Sequence, residues 1–469
     1  MTERRAGKRH VAVIDIGKTN AKLALVDLGQ LREIDVRKRP NAVRAGGPYP
    51  HYDTDGLWDF ILGALKEMQG AHGIDAVTVT THGASAALLD GEGRLAAPVL
   101  DYEHDGPDAL AADYDAVRPD FAETGSPRLP MGLNLGAQLF WQFETFPDIR
   151  ARTRTIVTWP QYWAYRLTGK AVNEVTSLGC HTDLWRPREN RFSSLVEKAG
   201  WSGLMAPVAK AADCLGPVLP EVAAAAGLDA RTPVHCGIHD SNASLYAHLV
   251  SRDAPFAVVS TGTWVISMAI GGAAVDLDPA RDTLINVIAF GDPVPSARFM
   301  GGREFDRMTE GLSRQYDARD VAAVLDRGAM LLPAVEPRSG PYPGRRHGWT
   351  VDEASLSGGE RFVAVSCYLA LMTATGLEMT GAAGPALVEG PFADNPVYLD
   401  MLAAATGRPV SAVAGTGTSI GAALLSADRD AAPRRDDTQW TGGPGMDAYA
   451  RKWRACLSGE TLRSGQAGK

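Results

Sequence analysis

The residues that could do chemistry in this chain gather around two glycine turns and one carboxylate. The first turn, Gly17-Lys18-Thr19-Asn20, directly follows Asp15 and precedes Lys22, and the second, Thr261-Gly262-Thr263, lies in the other half of the chain. A glycine turn between strands brings backbone N–H and hydroxyl donors against phosphate oxygens. Either turn alone reads equally well as a tight polar hairpin, whereas two equivalent turns read as a clamp for the phosphates of one nucleotide. Asp15 would then stand where a carboxylate can hold Mg²⁺ through water, with Lys22 adding charge. Asp240 follows a glycine turn in Gly237-Ile238-His239-Asp240 and opens a small-residue helix. A carboxylate there either caps the helix or takes a proton from a substrate hydroxyl during phosphoryl transfer.

Other constellations fail on their own requirements. His235, Cys236 and His239 lack the paired-cysteine spacing of a zinc site. Gly417-Thr418-Ser419-Ile420-Gly421 has the form of a hydrolase nucleophile elbow, but the last of the ten histidines is His347, so no histidine follows Ser419. Gly415-Thr416-Gly417 lacks the glycine spacing and the downstream acidic residue of a dinucleotide turn, and a P-loop pattern is absent.

The elements that must carry these residues alternate. Val11–Ile14 and Leu23–Val26 read as strands flanking the first turn, and Phe256–Ser260 and Trp264–Met268 flank the second. Overlaying Asp15 on Ser260 places Gly17 on Gly262, so each half of the chain opens with the same strand-turn-strand unit. Further strands (76–80, 156–159, 386–389, 410–413) alternate with helices (136–146, 160–167, 359–379, 397–406, 421–426), the pattern of a mainly parallel, buried sheet. A polar, turn-prone stretch at 251–255 marks the boundary between halves.

Composition narrows the class. At 469 residues, 45% hydrophobic and 22% charged, the chain is long enough for two large cores. A formal net charge of −8 provides no electrostatic footprint for nucleic acid or an anionic membrane surface. The apolar runs, such as Ala382–Val388, are short of a membrane span, and five scattered cysteines suit a reducing compartment, so a cytoplasmic protein is expected.

With these pieces in order, the chain resembles the FGGY carbohydrate kinases from about Val11 to about Ala427. Val13-Ile14-Asp15-Ile16-Gly17-Lys18-Thr19-Asn20-Ala21-Lys22 is similar to the family's first phosphate motif, with Lys18 where Thr or Ser is usual, which leaves Thr19 as the implied hydroxyl. Ser260-Thr261-Gly262-Thr263-Trp264 resembles the second phosphate motif, and Gly237-Ile238-His239-Asp240 the segment bearing the catalytic aspartate, which implies Asp240 as general base. Val388-Glu389-Gly390-Pro391-Phe392-Ala393-Asp394-Asn395-Pro396 resembles the adenosine-binding signature; it brings Gly390 and Asn395 to the nucleotide, and Gly302 and Gly417 fit the same site. Asn134–Trp141 is similar to a further family signature, with Gln138 where lysine is common. Thr81-His82-Gly83 occupies the position of a sugar-contacting loop, with His104, Gln161, His239 and Asp240 as the other substrate candidates.

The resemblance implies an α/β fold of two ribonuclease-H-like, actin-type domains around a central cleft. Residues 10–250 would form the sugar-binding domain, 251–430 the ATP-binding domain and 431–469 a peripheral or partly disordered tail. ATP and Mg²⁺ are the implied cofactors, the metal held by Asp15 and Asp240. The implied partners are a small sugar and ATP, neither nucleic acid nor membrane, and a homodimer is left open. The reaction implied is ATP-dependent phosphorylation of a small ketose at a terminal hydroxyl. His239–Ala243 with Gly262-Thr263-Trp264 look most like the L-fuculose and L-rhamnulose kinases. A pentulose or polyol kinase of the same fold, or a non-catalytic actin-like ATP-binding regulatory protein, are the alternatives.

Overall fold

A computed structural model describes residues 9–413, 417–427 and 438–458. The chain forms two compact units. The first comprises the described chain up to Arg252, a short return at Ile285–Pro293 and the helix Gly417–Leu424. The second comprises Asp253–Leu284, residues 294–413 and residues 438–458.

The first unit opens with β1 (His10–Ile16), β2 (Asn20–Asp27) and β3 (Arg32–Pro40), followed by helix α1 (Thr54–His72) and β4 (Ala76–Thr81). Farther on come α2 (Trp159–Thr168), the short α3 (Val175–Leu178), β5 (Cys214–Pro217), β6 (Pro233–His235), β7 (Ile238–His239) and α4 (Asp240–Ser251). The sheet order is β5-β6-β4-β1-β2-β3, with β7 also paired to β4. β1 is antiparallel to β2 and parallel to β4. Because helices cover the sheet, β1 and β4 are near-continuous buried runs rather than alternating ones. α1 is capped by Asp53, which accepts from the Gly56 N–H, and its stripe of Leu57, Ile61, Leu65 and Met68 faces that core.

The second unit repeats the plan. Its strands β8 (Phe256–Thr261), β9 (Val265–Ile270) and β10 (Pro293–Phe299) lead to α5 (Gly301–Thr309), α6 (Ala318–Arg327) and the long α7 (Gly358–Met379). Then follow β11 (Ala386–Glu389), α8 (Pro396–Thr406) and β12 (Val410–Ala412); after α9 (Gly417–Leu424) in the first unit, β13 (Gln439–Trp440) and α10 (Met446–Ser458) complete it. β8 is antiparallel to β9 and parallel to β11. The equivalence extends to register: Asp15 stands opposite Thr80 of the parallel neighbour, and Ser260 opposite Glu389.

Three expectations need correction. The stretch assigned to a peripheral tail contributes β13 to the second sheet and α10 to its core, where Tyr449 and Trp453 are buried and donate to the carbonyls of Ala329 and Leu331. Residues 428–437 and 459–469 lie outside the described residues. α9, placed by sequence in the second domain, belongs to the first, where Gly421 lies so close to Ala243 of α4 that a Cβ would meet its carbonyl. Among the described residues one helix, α7, with 22 residues and a mean hydropathy of 1.5, has the length and composition to cross a membrane, contrary to the short apolar runs read from sequence; 89% of that window is buried within the fold. Its N-terminal capping box, Ser357 with Glu360, is that of an ordinary core helix.

Candidate active site

In the first unit, β1 carries Asp15 one residue before its end, and the turn behind it is closed by the Gly17 N–H donating to the Asn20 carbonyl at 2.9 Å. Asn41 braces the turn, its amide donating to the Gly17 carbonyl at 2.7 Å. Thr19 and Asn20 are exposed and so available to phosphate oxygens. Lys22 is held instead by two carboxylates, 3.3 Å from Asp15 and 3.1 Å from Glu33. Thr418 of α9 donates to Asp15 at 2.8 Å, and Gly417 is the exposed residue just before it. Burial raises the Asp15 pKa, and the charge of Asp240 adds to that rise against the pull of Lys22 and Thr418. Lys18 pairs with Asp101 and Glu103 and lies 4.7 Å from the Tyr102 ring centroid.

Asp240 is reached through a turn that requires glycine. Gly237 has φ of +88°, and a Cβ there would stand 2.6 Å from the Val79 carbonyl oxygen. His239, not Asp240, occupies the N-cap position of α4, and Asp240 accepts from the Ser241 N–H at 2.6 Å. Its carboxylate lies 3.2 Å from His239 Nε2 and is 31% exposed. β7 sets His239 beside Thr81 on β4, and Gly83 has no side chain to displace the ring.

The two buried histidines differ in charge. His82 Nδ1 is 2.7 Å from the Gly83 carbonyl and therefore carries the proton. Burial lowers its pKa to about 4, leaving a neutral ring whose Nε2 is an acceptor with no partner among the described residues. Burial acts against the charged form of His239 too, but the charges of Cys180, 3.8 Å away, and Asp240 prevail and raise its pKa to about 9. Its Nδ1 is then a buried donor, also unpartnered. The pair offers one acceptor and one donor, which is what a hydroxylated ligand needs. Glu174 and Thr176 support it from behind: Thr176 accepts from the His239 N–H at 3.1 Å and donates to Glu174 at 2.6 Å, and burial raises the Glu174 pKa to about 7.

One substrate expectation is corrected. Gln161 is fully buried; it accepts from the Thr158 hydroxyl and donates towards the Cys236 and Gly237 carbonyls at 3.1 and 3.2 Å, so it fixes the turn before Asp240 and has no surface for a ligand. His104 packs edge-on against Trp141 beside Asp105.

In the second unit, a cavity of about 1310 Å³ is lined by Gly262, Thr263, Gly302, Gly390 and Asn395, five of the six residues of this unit expected to bind nucleotide. Its aromatic wall includes Tyr316 stacked on Phe362 at 5.3 Å, with Arg314 over Phe305. The Gly262 turn is closed by its N–H donating to Trp264 at 3.0 Å. Gly302 is required because a Cβ would lie 2.1 Å from the Gly262 oxygen. The sixth, Thr261, is corrected: its hydroxyl donates to the Glu389 carbonyl and accepts from the Phe392 N–H, so it holds the Gly390 turn. The Asn395 side chain caps α8 through Tyr398 and donates to Ser366, which fixes its orientation and leaves one amide hydrogen and one oxygen lone pair uncommitted at the cavity wall.

Two family descriptions match the chain. The description "FGGY family of carbohydrate kinases, N-terminal domain" matches residues 10–247 and "Carbohydrate kinase FGGY, C-terminal domain" residues 253–435. The chain belongs to the FGGY family of carbohydrate kinases. An L-fuculokinase of Salmonella typhi is 23% identical over 273 residues, 56% of this chain and 57% of that protein, so the match spans little more than half of the relative. A carbohydrate kinase from Novosphingobium aromaticivorans is 38% identical, with a TM-score of 0.88 over 95% of this chain and 100% of that one. A xylulose kinase from Lactobacillus acidophilus shares the fold, at a TM-score of 0.77 over 97% and 99% of the two chains, with 14% identity. Within this FGGY chain, no motif pointed to the bond from Thr418 to Asp15, 403 positions away. The aromatic wall of the cavity was likewise unmarked, because Tyr316 and Phe362 sit in no motif.

Proposed function

We propose that this chain transfers the γ-phosphoryl group of ATP to a terminal hydroxyl of a small ketose, a 6-deoxy-ketohexose such as L-fuculose or L-rhamnulose, on the hydroxyl next to the ketone. The observation that carries the reading is Asp240, partly exposed beside two buried histidines that present one unpaired acceptor and one unpaired donor. Asp240 accepts the hydroxyl proton as the oxygen attacks phosphorus. His82 Nε2 accepts from one sugar hydroxyl and His239 Nδ1 donates to another oxygen, fixing the sugar's orientation. In the second unit the aromatic wall at Tyr316 suits a purine base, and the N–H groups and hydroxyl of the Gly262-Thr263 turn suit phosphate oxygens.

Asp15 and Asp240 also fit Mg²⁺. They are hard oxygen donors, and the charge of Asp240 raises the cost of ionising the buried Asp15, a repulsion that a divalent cation relieves. When bound, the metal neutralises charge on the phosphates. The deoxy-sugar preference rests on the likeness of 239–243 and 262–264 to those kinases and on the L-fuculokinase relative. A pocket that buries a methyl group gains roughly 10- to 200-fold in discrimination. The test is kcat/KM by coupled ADP release for L-fuculose, L-rhamnulose, L- and D-ribulose, D-xylulose and erythritol. A preference for D-xylulose or a polyol over both deoxy sugars overturns the specificity, and no ADP release with any of them overturns the kinase activity.

A further inference from the structure

A second cavity, of about 670 Å³, lies in the first unit apart from Asp15, His82, His239 and Asp240, none of which lines it. Four arginines do: Arg44, Arg94, Arg152 and Arg166. Two are committed, Arg44 to Asp53 at 2.8 Å and Arg94 to Asp90 and Glu92. The other two pair with no carboxylate among the described residues; Arg152 makes a long contact to the Asp148 carbonyl at 3.4 Å and acts electrostatically on Tyr49. Arg166 is held ready, its guanidinium 4.4 Å from the Trp58 ring centroid and donating to the Tyr162 hydroxyl at 3.0 Å. Stacking on an aromatic face leaves the remaining N–H donors of the fork directed to a ligand and lowers the entropy lost on binding.

From this arrangement we infer a binding site for a small phosphate monoester of a polyhydroxylated carbon chain. Two uncommitted guanidinium charges match the charge of about −1.5 to −2 on a phosphate monoester at neutral pH. Asp55, on the same lining, accepts hydrogen bonds from hydroxyls, a partner that the carbon chain of a hydroxylated ester supplies and free phosphate does not. The volume exceeds what a phosphate ion alone fills. The inference does not depend on the proposed kinase activity, because it is read by binding.

Isothermal titration with fructose 1-phosphate, inorganic phosphate and fructose, each on the wild type, Arg152→Gln and Arg166→Gln, tests it. The expected result is ester binding that each variant weakens by roughly tenfold or more, with inorganic phosphate and fructose weaker than the ester and circular dichroism unchanged. Arg152→Gln guards against misfolding, since Arg152 is an exposed residue ending a helix. Ester affinity equal in all three proteins overturns the site. Inorganic phosphate binding as tightly as the ester overturns the assignment to an ester.

Discussion

Replacing Asp240 by Asn keeps the side chain's size and removes its charge, which separates two roles that a carboxylate at a helix start could play. The structural role is small here. Asp240 is not the N-cap of α4, its carboxylate is 31% exposed, and its protein partners are the Ser241 N–H and hydroxyl and His239, the first two of which an amide oxygen also satisfies. Losing a first-turn acid costs roughly 0.3–1 kcal/mol, or about 1–4 °C in Tm for a domain of this size. The catalytic role is larger. Removing a general base lowers turnover by roughly 10²–10⁴-fold, about 2.7–5.4 kcal/mol of barrier. The expected outcome is a protein with Tm within a few degrees of wild type, nearly unchanged ATP affinity by titration calorimetry, and kcat down at least a hundredfold in coupled ADP release. Near-normal kcat with a clearly lower Tm would refute the reasoning and leave Asp240 as a helix-start residue only.

Gly262→Val should fold with little change in Tm, because a Cβ there meets only the Trp264 oxygen at 3.8 Å, yet lose ATP affinity; Gly302→Ala, whose Cβ would stand 2.1 Å from the Gly262 oxygen, should instead lose stability in a thermal melt. Unchanged ATP affinity in Gly262→Val removes that turn from the nucleotide site. Gln161→Leu should cost roughly 1–3 kcal/mol in urea unfolding by stranding the Cys236 and Gly237 carbonyls, and it should lower kcat through Asp240; a raised sugar KM with unchanged stability would restore the ligand role. His82 makes stability depend on pH: its folded pKa of about 4 lies below the ordinary value of 6.5, so the unfolded chain binds the proton first and stability is lost as pH falls from 6.5 to 4. His82→Asn should flatten that part of the urea-midpoint profile, and an unchanged slope would contradict a buried neutral ring.

The repeated strand-turn-strand unit was legible because everything that makes it lies within a dozen residues: apolar runs on both sides, a glycine, and small polar residues between. The same locality made Asp240 legible, since Gly237 and the helix start flank it in sequence. Gln161 and Thr261 were misjudged for one shared reason. Their residue types are as suitable for binding a ligand as for satisfying buried backbone groups, and only the packed structure shows which use has taken up their hydrogen bonds.

By itself, then, the sequence determined the two-unit α/β plan, both glycine turns and the carboxylate near the end of β1, because periodicity and turn chemistry act over short stretches of chain. Tertiary structure alone decided that α9 crosses back to place Thr418 on Asp15, that α10 belongs to a core, and that His82 is neutral while His239 is charged. Burial and charge are properties of what surrounds a residue in space, and those surroundings are assembled from segments tens to hundreds of positions apart.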